Sequence, residues 1–393
     1  MSRRVACAAL VTQRVEGRRR FGIAAELLLG HGRAVPGRRP APQIRPGLRL
    51  VKRAVGIGFD EREAAFIGLD RTGRARPGEP GQEHNSGKSR GGARHGARNH
   101  GLQGLGKQAT NRRMSAPHLF CFGLGYSALA LARRLRAQGI RVSGTVRSAE
   151  KAMQLKTEGI TAYLFDGTAP LADAALGGVT HLLLSVPPDP SGDPVLRHHR
   201  FSPGQFAWAG YLSTTGVYGD RQGGLVDEES ALLPTGPRGA ARVAAEAAWL
   251  QSGLPMHIFR LAGIYGPGRN TLVSLREGTA KRIDKPDQLF SRIHVEDLAA
   301  VLAASMARPH PGRVYNVCDD EPANPADVVV YAAGLLGVAP PPLLALDAAG
   351  LSPLGRSFYE DSKRVSNARI KAELGVVLSY ASYREGLAAL AQS

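Results

Sequence analysis

From Pro117 onward, short apolar runs alternate with segments whose apolar residues recur at helical spacing. The strand-like runs cover residues 119–122, 140–146, 161–165, 180–186, 208–213 and 256–261. Helical patterns separate several of these runs, and the pattern over 238–251 is the strongest. Alternation of buried strands with helices is typical of a parallel sheet covered on both faces. The pattern therefore predicts an α/β protein with a Rossmann-type doubly wound parallel sheet.

The first strand-like run leads into a glycine-rich turn. The stretch from His118 to Ala130 reads HLFCFGLGYSALA, with the spacing G-x-G-x-x-A. Such a turn between a strand and a helix lets a pyrophosphate approach backbone N–H groups at the positive end of the helix. The first glycine permits the tight turn, the second leaves room for phosphate, and the alanine allows close packing. The residues predicted to bind a dinucleotide here are Gly123, Gly125, Tyr126, Ser127 and Ala128.

The ends of the later strands extend this predicted site. Ligands of doubly wound sheets bind beyond the carboxyl ends of the strands, near the switch in strand order. Besides the glycine turn, this rule places Thr214 at the crevice, and it predicts cofactor contacts for Arg147, Asp166, Ser185 and Ala262.

Arg147 bears on the choice of cofactor. A site that favours NAD normally has a carboxylate at the end of the second strand, where it holds the ribose 2′-hydroxyl. The guanidinium of Arg147 stands there instead and can pair with a 2′-phosphate. NADP is therefore the predicted cofactor and NAD the alternative. The competing interpretation is a solvated surface arginine.

Charge divides the chain at Met114. The formal net charge is +18, but residues 1–113 hold 24 Lys/Arg against 8 Asp/Glu, and the remainder holds 27 against 25. The first 113 residues are rich in Gly and Arg and are predicted to be a disordered basic extension. Three interpretations stay open: an inert extension or a start-site artefact with translation beginning at Met114, a nucleic-acid-binding tail, and a targeting peptide. The first is favoured, which disfavours a nucleic-acid partner. Residues 114–393 are predicted to be the folded domain.

Cysteine content and hydropathy bear on metal sites, disulfides, membrane spans and cellular location. Cys7, Cys121 and Cys318 share no metal or redox spacing, so neither a metal site nor a disulfide framework is predicted. No apolar run reaches 18 residues, which argues against a membrane span. A cytoplasmic location is the expectation.

Three further motifs suggest a family. YLSTTGVYGD (Tyr211–Asp220), RLAGIYGPGR (Arg260–Arg269) and RIHVEDLA (Arg292–Ala299) follow the glycine turn in order. Together they resemble the extended short-chain dehydrogenase/reductases, the NAD-dependent epimerase/dehydratase group, and an atypical branch of it. The resemblance implies a C-terminal substrate lobe, mainly from residue 268 onward, and a homodimer. It also implies a catalytic Ser/Thr, which Thr214 matches, and a Tyr-x-x-x-Lys pair on the helix after Pro237.

The chain departs from the family at that pair. Arg238 stands where the Tyr belongs, and Arg242 where the Lys belongs. Arginine stays protonated and cannot shuttle a proton near neutral pH. Two arginines four residues apart share one helix face, so they could hold an anionic substrate or a phosphate. Tyr218 is a substitute catalytic candidate, with a packing role as its alternative.

Two functions from different classes follow. The first is an NAD(P)-dependent oxidoreductase or epimerase acting on a small carbonyl, hydroxyl or nucleotide-sugar substrate, with Thr214, Arg238, Arg242 and Tyr218 as its candidate catalytic residues. The second is a sensor or scaffold that binds NAD(P) without turnover.

Overall fold

The computed structural model describes residues 116–392. The predicted N-terminal extension, residues 1–113, lies outside the described residues. Within them the strands in chain order are β1 (His118–Phe122), β2 (Arg141–Val146), β3 (Thr161–Leu164), β4 (His181–Leu184), β5 (Trp208–Thr214), β6 (Leu225–Val226), β7 (Met256–Leu261), β8 (Gly263–Tyr265), β9 (Arg282–Asp284), β10 (Arg292–His294), β11 (Val314–Val317), β12 (Leu343–Ala345) and β13 (Arg364–Val365).

The helices surround these strands. In chain order they are α1 (Tyr126–Ala137), α2 (Ala149–Thr157), α3 (Pro194–His198), α4 (Pro237–Leu250), α5 (Thr271–Arg276), α6 (Val295–Ala307), α7 (Pro325–Leu336), α8 (Pro353–Ser357), α9 (Ala368–Leu374) and α10 (Tyr383–Gln392). Short 3-10 helices cover Asp173–Leu176 and Thr215–Tyr218.

Seven parallel strands form the main sheet, in the order β3-β2-β1-β4-β5-β7-β11. The chain runs outward from β1 through β2 to β3, then returns to β4 on the other side of β1. Strand order therefore switches between β1 and β4, where a doubly wound sheet opens a crevice. The predicted α/β Rossmann-type architecture is confirmed.

Apolar layers cover both faces of the sheet. On one face, Leu131 of α1 and Leu302 of α6 are fully buried in a cluster that extends to α9. On the other face, Phe122 of β1 and Trp249 of α4 belong to a second buried cluster. All five residues of β1 are buried, and all but His118 are apolar, as expected for a strand covered on both faces at the centre of the sheet.

Residues after Gly268 divide between two locations. β11 joins the main sheet beside β7. Helices α5, α7 and α10 instead share a separate apolar cluster that includes Leu272, Ala332 and Leu387. The short pairs β9–β12 and β6–β13 lie outside the main sheet.

One predicted helix is wrong in its first half. Residues 362–374, SKRVSNARIKAEL, are predicted from the sequence to form one helix with a basic face, but only Ala368–Leu374 is helical. Arg364–Val365 pairs with β6 instead, and the N–H groups of Arg364 and Ser366 donate to the carbonyls of Gly224 and Val226. Pairing with a strand distant in sequence overrides the local helical preference here.

Candidate nucleotide site and active site

The glycine turn is tied to its two neighbouring strands. Gly123 has φ +88°, a left-handed conformation that glycine adopts without strain. Its N–H donates to Thr145 Oγ1 at 2.8 Å, and the N–H of Leu124 donates to the Thr145 carbonyl at 2.7 Å. A Cβ at Gly123 would lie 3.2 Å from Val186 Cγ2 in the loop after β4. The turn is therefore held between β2 and the β4 loop.

Gly125 ends the turn as the N-cap of α1. No side chain caps this helix, and its first turn contains no acidic residue. The first N–H groups of any α-helix lack intrahelical acceptors, so those of Tyr126, Ser127 and Ala128 are available to an anion. A Cβ at Gly125 would meet nothing within 4 Å. The turn thus presents open space next to available backbone donors, which fits a diphosphate.

Gly144 is a residue that the sequence analysis missed. It lies in β2, where a Cβ would be 2.4 Å from the Cys121 carbonyl oxygen and 2.9 Å from Leu124 Cγ. A side chain there would push the glycine turn away from β2. The glycine inside an otherwise regular strand was the available signal, since such glycines mark close approach of another backbone.

The other predicted cofactor residues follow their strands. Arg147 is exposed directly after β2. Asp166, after β3, accepts hydrogen bonds from the N–H and hydroxyl of Thr168, and these bonds lower its pKa. Ser185, after β4, donates its N–H to the Phe122 carbonyl, beside the glycine turn. Ala262 is only 7% exposed and packs inside an apolar cluster, and its N–H donates to Val317.

Thr214 is the last residue of β5. Its Oγ1 accepts a hydrogen bond from the Gly216 N–H at 3.1 Å and so caps the 3-10 helix that follows. A hydroxyl that accepts in this way still has its own hydrogen to donate. The side chain is half-buried. This position suits a group that orients an oxygen of a substrate.

Tyr218 lies inside the protein. It has no exposed surface, and its hydroxyl donates to Asn316 Oδ1 at 2.7 Å and accepts from Arg260 Nη1 at 2.9 Å. Burial raises the pKa of this phenol. The arrangement favours the packing role over the catalytic role.

Tyr218 belongs to a buried polar network that was not predicted. Arg260 of β7 forms an ion pair with Glu246 of α4 at 2.9 Å, and Glu246 also accepts from Ser213 Oγ at 2.5 Å. Arg260 and Glu246 are each less than a tenth exposed. The network locks β5, β7 and α4 together directly behind Thr214. Its sequence signal was an arginine within the apolar strand MHIFRL, because a buried cation needs a buried carboxylate.

The two arginines of α4 have different surroundings. Arg238, in the first turn, is exposed. Arg242 is half-buried; its Nη1 donates to the Leu212 carbonyl of β5, and its guanidinium lies 5.6 Å from the Tyr211 ring centroid. The helix start also packs against the turn after Thr214, since a Cβ at Gly239 would be 2.9 Å from the Gly216 carbonyl oxygen. Both arginines therefore lie on the helix next to the Thr214 turn.

His294 and His199 each hold a backbone N–H group of the fold. His294 is the N-cap of α6, and its ring accepts from the Glu296 N–H. His199 accepts from the Leu171 N–H and contacts the Phe122 ring edge-on. Among residues 116–392, no group of three or more His, Cys, Asp or Glu side chains is arranged to hold a metal ion. No helix in the same range is long and apolar enough to cross a membrane.

Comparisons with known proteins cover most of the described range. No family model matches the chain. Protein YeeZ of Escherichia coli K12 is 30% identical over 282 residues, which are 66% of this chain and 94% of that protein. A structure from Silicibacter pomeroyi DSS, described as a functionally unknown conserved protein, is 52% identical; the match covers 70% of this chain and 98% of that one, with a TM-score of 0.65.

A more distant structure shows the same fold. The dTDP-glucose 4,6-dehydratase of Bacillus anthracis, in complex with NAD, is 16% identical; the match covers 70% of this chain and 96% of that one, with a TM-score of 0.57. The sheet order, the glycine turn and the three linked motifs agree with these relationships. The chain belongs to the extended short-chain dehydrogenase/reductase family, the NAD-dependent epimerase/dehydratase group.

Proposed function

We propose that this protein is an NAD(P)-dependent oxidoreductase or epimerase, with NADP preferred, acting at a carbinol or carbonyl carbon of a small molecule. The observation that carries the proposal is the glycine turn, where Gly125 leaves open space beside the uncapped start of α1. Helix starts of this kind bind phosphate through backbone N–H groups. Arg147 lies at the exposed end of β2 and would pair with a 2′-phosphate.

At the β5–α4 side of the crevice, side chains would orient the substrate and hold part of the cofactor. The Thr214 hydroxyl would donate to the reacting oxygen, because its acceptor side is already engaged by the Gly216 N–H. Arg238 would contribute charge to an anionic group of the substrate. Arg242 is anchored to the β5 carbonyl of Leu212 and would hold the ribose or phosphate side of the cofactor. When bound, the oxidised cofactor NADP would accept a hydride, and the reduced cofactor NADPH would supply one.

Because the Tyr-x-x-x-Lys pair is absent, other groups must transfer the proton in the reaction. Neither Arg238 nor Arg242 releases a proton near neutral pH. The Tyr218 hydroxyl is enclosed between Asn316 and Arg260. In the direction of reduction, the Thr214 hydroxyl would therefore give its proton to the reacting oxygen as the hydride arrives, and would regain a proton from water.

The same observations support the second function, a protein that binds NAD(P) without turnover. In that case the arginines of α4 and the network behind Thr214 would serve to hold a nucleotide and to fix the fold.

One experiment separates the two functions. The full chain is mixed with NADPH and a broad panel of carbonyl compounds, and loss of NADPH absorbance is followed. In parallel, nucleotide sugars are incubated with the chain and NADP, and epimer formation is followed by chromatography, because an epimerase returns its cofactor unchanged. The enzyme proposal predicts turnover with at least one compound and its loss in Thr214→Ala. Tight NADPH binding without turnover on any compound would favour the binding protein.

A further inference from the structure

A turn after β8 lies against the glycine turn. Residues Gly266 to Arg269 close on themselves through two backbone hydrogen bonds, from the Gly266 N–H to the Arg269 carbonyl at 2.9 Å and from the Arg269 N–H to the Gly266 carbonyl at 3.1 Å. The motif YGPGR, from Tyr265 to Arg269, contains this turn.

Tyr126 connects this turn to the nucleotide site. It is the first residue of α1, directly after Gly125, and its hydroxyl donates to the Pro267 carbonyl at 3.1 Å. Gly266 leaves room for that hydroxyl, because a Cβ there would lie 2.7 Å from the Tyr126 oxygen. Burial raises the pKa of Tyr126 to about 12, so the phenol remains a donor at neutral pH. The ring is thus fixed between the two turns.

Arg269 lies over this ring. Its guanidinium carbon is 5.6 Å from the Tyr126 ring centroid, within the range of a cation–π contact, and the residue is half-buried. The ring therefore holds a permanent cation next to the first turn of α1. Arg269 and the exposed Glu296, at the start of α6, both act on the Tyr126 hydroxyl: the cation lowers its pKa and the carboxylate raises it.

We propose that Arg269 binds the diphosphate of the dinucleotide and that Tyr126 is the platform that positions its guanidinium. The inference rests on the proposed function, because it adds a side chain to the same cofactor site. It assigns separate tasks to two arginines. Arg147 would recognise the 2′-phosphate, which only NADP has, whereas Arg269 would recognise the diphosphate, which NADP, NAD and ADP share.

The test is calorimetric titration of the full chain with NADP, NAD and ADP. Arg269→Ala should weaken all three ligands by about ten-fold or more, as expected for loss of a charge-assisted hydrogen bond to phosphate. Arg269→Lys keeps the charge but loses the planar stacking group, so its loss should be smaller. Arg276→Ala, at an exposed arginine at the end of α5, is the matched control and should bind like the parent chain.

The outcomes separate the inference from the proposed function. If Arg269→Ala and Arg269→Gln bind all three ligands like the parent chain, while Arg147→Ala still weakens NADP, the inference is wrong and the proposed function stands. A loss confined to NADP would also overturn the inference. If the parent chain binds neither dinucleotide, both fail. Thermal unfolding of each variant without ligand verifies that the fold is intact.

Discussion

The two ends of the crevice are built from different parts of the polypeptide. At the β1–α1 end, the glycine turn offers backbone N–H groups and open space, and no side chain caps the helix. At the β5–α4 end, side chains form a buried network through Ser213, Glu246 and Arg260. One end therefore keeps its donors available for a ligand, while the other uses most of its polar groups to hold its own strands and helix together.

We expect this difference to separate cofactor binding, at the glycine turn, from the chemical step, at the Thr214 end. The backbone end fits a diphosphate irrespective of what happens elsewhere in the crevice. The side-chain end has Arg238 and Arg242 where the family resemblance places a proton carrier and its lysine partner. The buried ion pair of Glu246 and Arg260 fixes α4 of this end against β7. Substitutions in the glycine turn should consequently change the affinity for the cofactor, whereas substitution of Thr214 should change turnover.

At a fixed pH, the largest expected effect is on the stability of the β5–α4 end. Glu246→Ala leaves the buried cation of Arg260 without its partner, so the free energy of unfolding should fall by about 3–5 kcal/mol. Urea unfolding measures this change. The matched control is Glu158→Ala in the exposed pair with Arg133, which should cost less than about 1 kcal/mol. Equal losses for the two variants would contradict a buried, stabilising network.

The next effect concerns turnover at the same end. Thr214→Ala should lower kcat by about a hundred-fold, because one preorganised hydrogen bond to the reacting oxygen is lost. The affinity for NADP should stay unchanged, because we propose that the glycine turn at the other end binds the cofactor diphosphate. Thr214→Ser keeps the hydroxyl and should recover most of the activity. Loss of NADP affinity in Thr214→Ala would show that the two ends are not independent.

A third effect is a pH dependence of stability beyond β11. Asp319 is 1% exposed, and burial raises its pKa from 3.8 to about 8, against the opposing charge of Arg292. Between these values the unfolded chain loses the proton and the folded chain keeps it. The free energy of unfolding should therefore decrease as pH rises from 4 to 8, by up to about 1.4 kcal/mol per pH unit.

Asp319→Asn removes the titrating group and should flatten this part of the pH profile. Urea unfolding at several pH values, with parent and variant compared at each, gives the difference. A variant whose profile runs parallel to that of the parent chain would show that Asp319 titrates normally.

The smallest effect is the choice between cofactors. Arg147→Ala should weaken NADP by about ten-fold and leave NAD almost unchanged, because only NADP has a 2′-phosphate. Arg134→Ala, at an exposed position of α1, is the control and should change neither. Titration with both dinucleotides measures the two constants. Equal effects on NADP and NAD would refute the preference.

The backbone end was the easier one to predict from the sequence. Alternating apolar runs and the spacing of Gly123, Gly125 and Ala128 depend on neighbours in the chain, so local patterns contain them. Gly144 could have been predicted in the same way, because it is a glycine inside a strand.

The side-chain end depends on contacts between distant residues. Glu246 and Arg260 are 14 residues apart and meet only when α4 packs on β7. Tyr218 meets Asn316 across 98 residues. The strand Arg364–Val365 was missed for the same reason, because its partner β6 lies far away in the chain. Motif spacing placed Thr214 at a strand end, but it did not show that Tyr218 points into the core.

The most direct test of the account is calorimetric titration of NADP into the full chain and into Gly125→Val. The Val Cβ would enter the open space at the start of α1, where nothing lies within 4 Å of it, so the variant should fold normally and lose NADP binding. Gly334→Ala in α7, where a Cβ also meets nothing within 4 Å, should bind like the parent chain. Saturable binding that Gly125→Val abolishes is the predicted result. Unchanged binding in Gly125→Val would contradict the assignment of the glycine turn as the cofactor site.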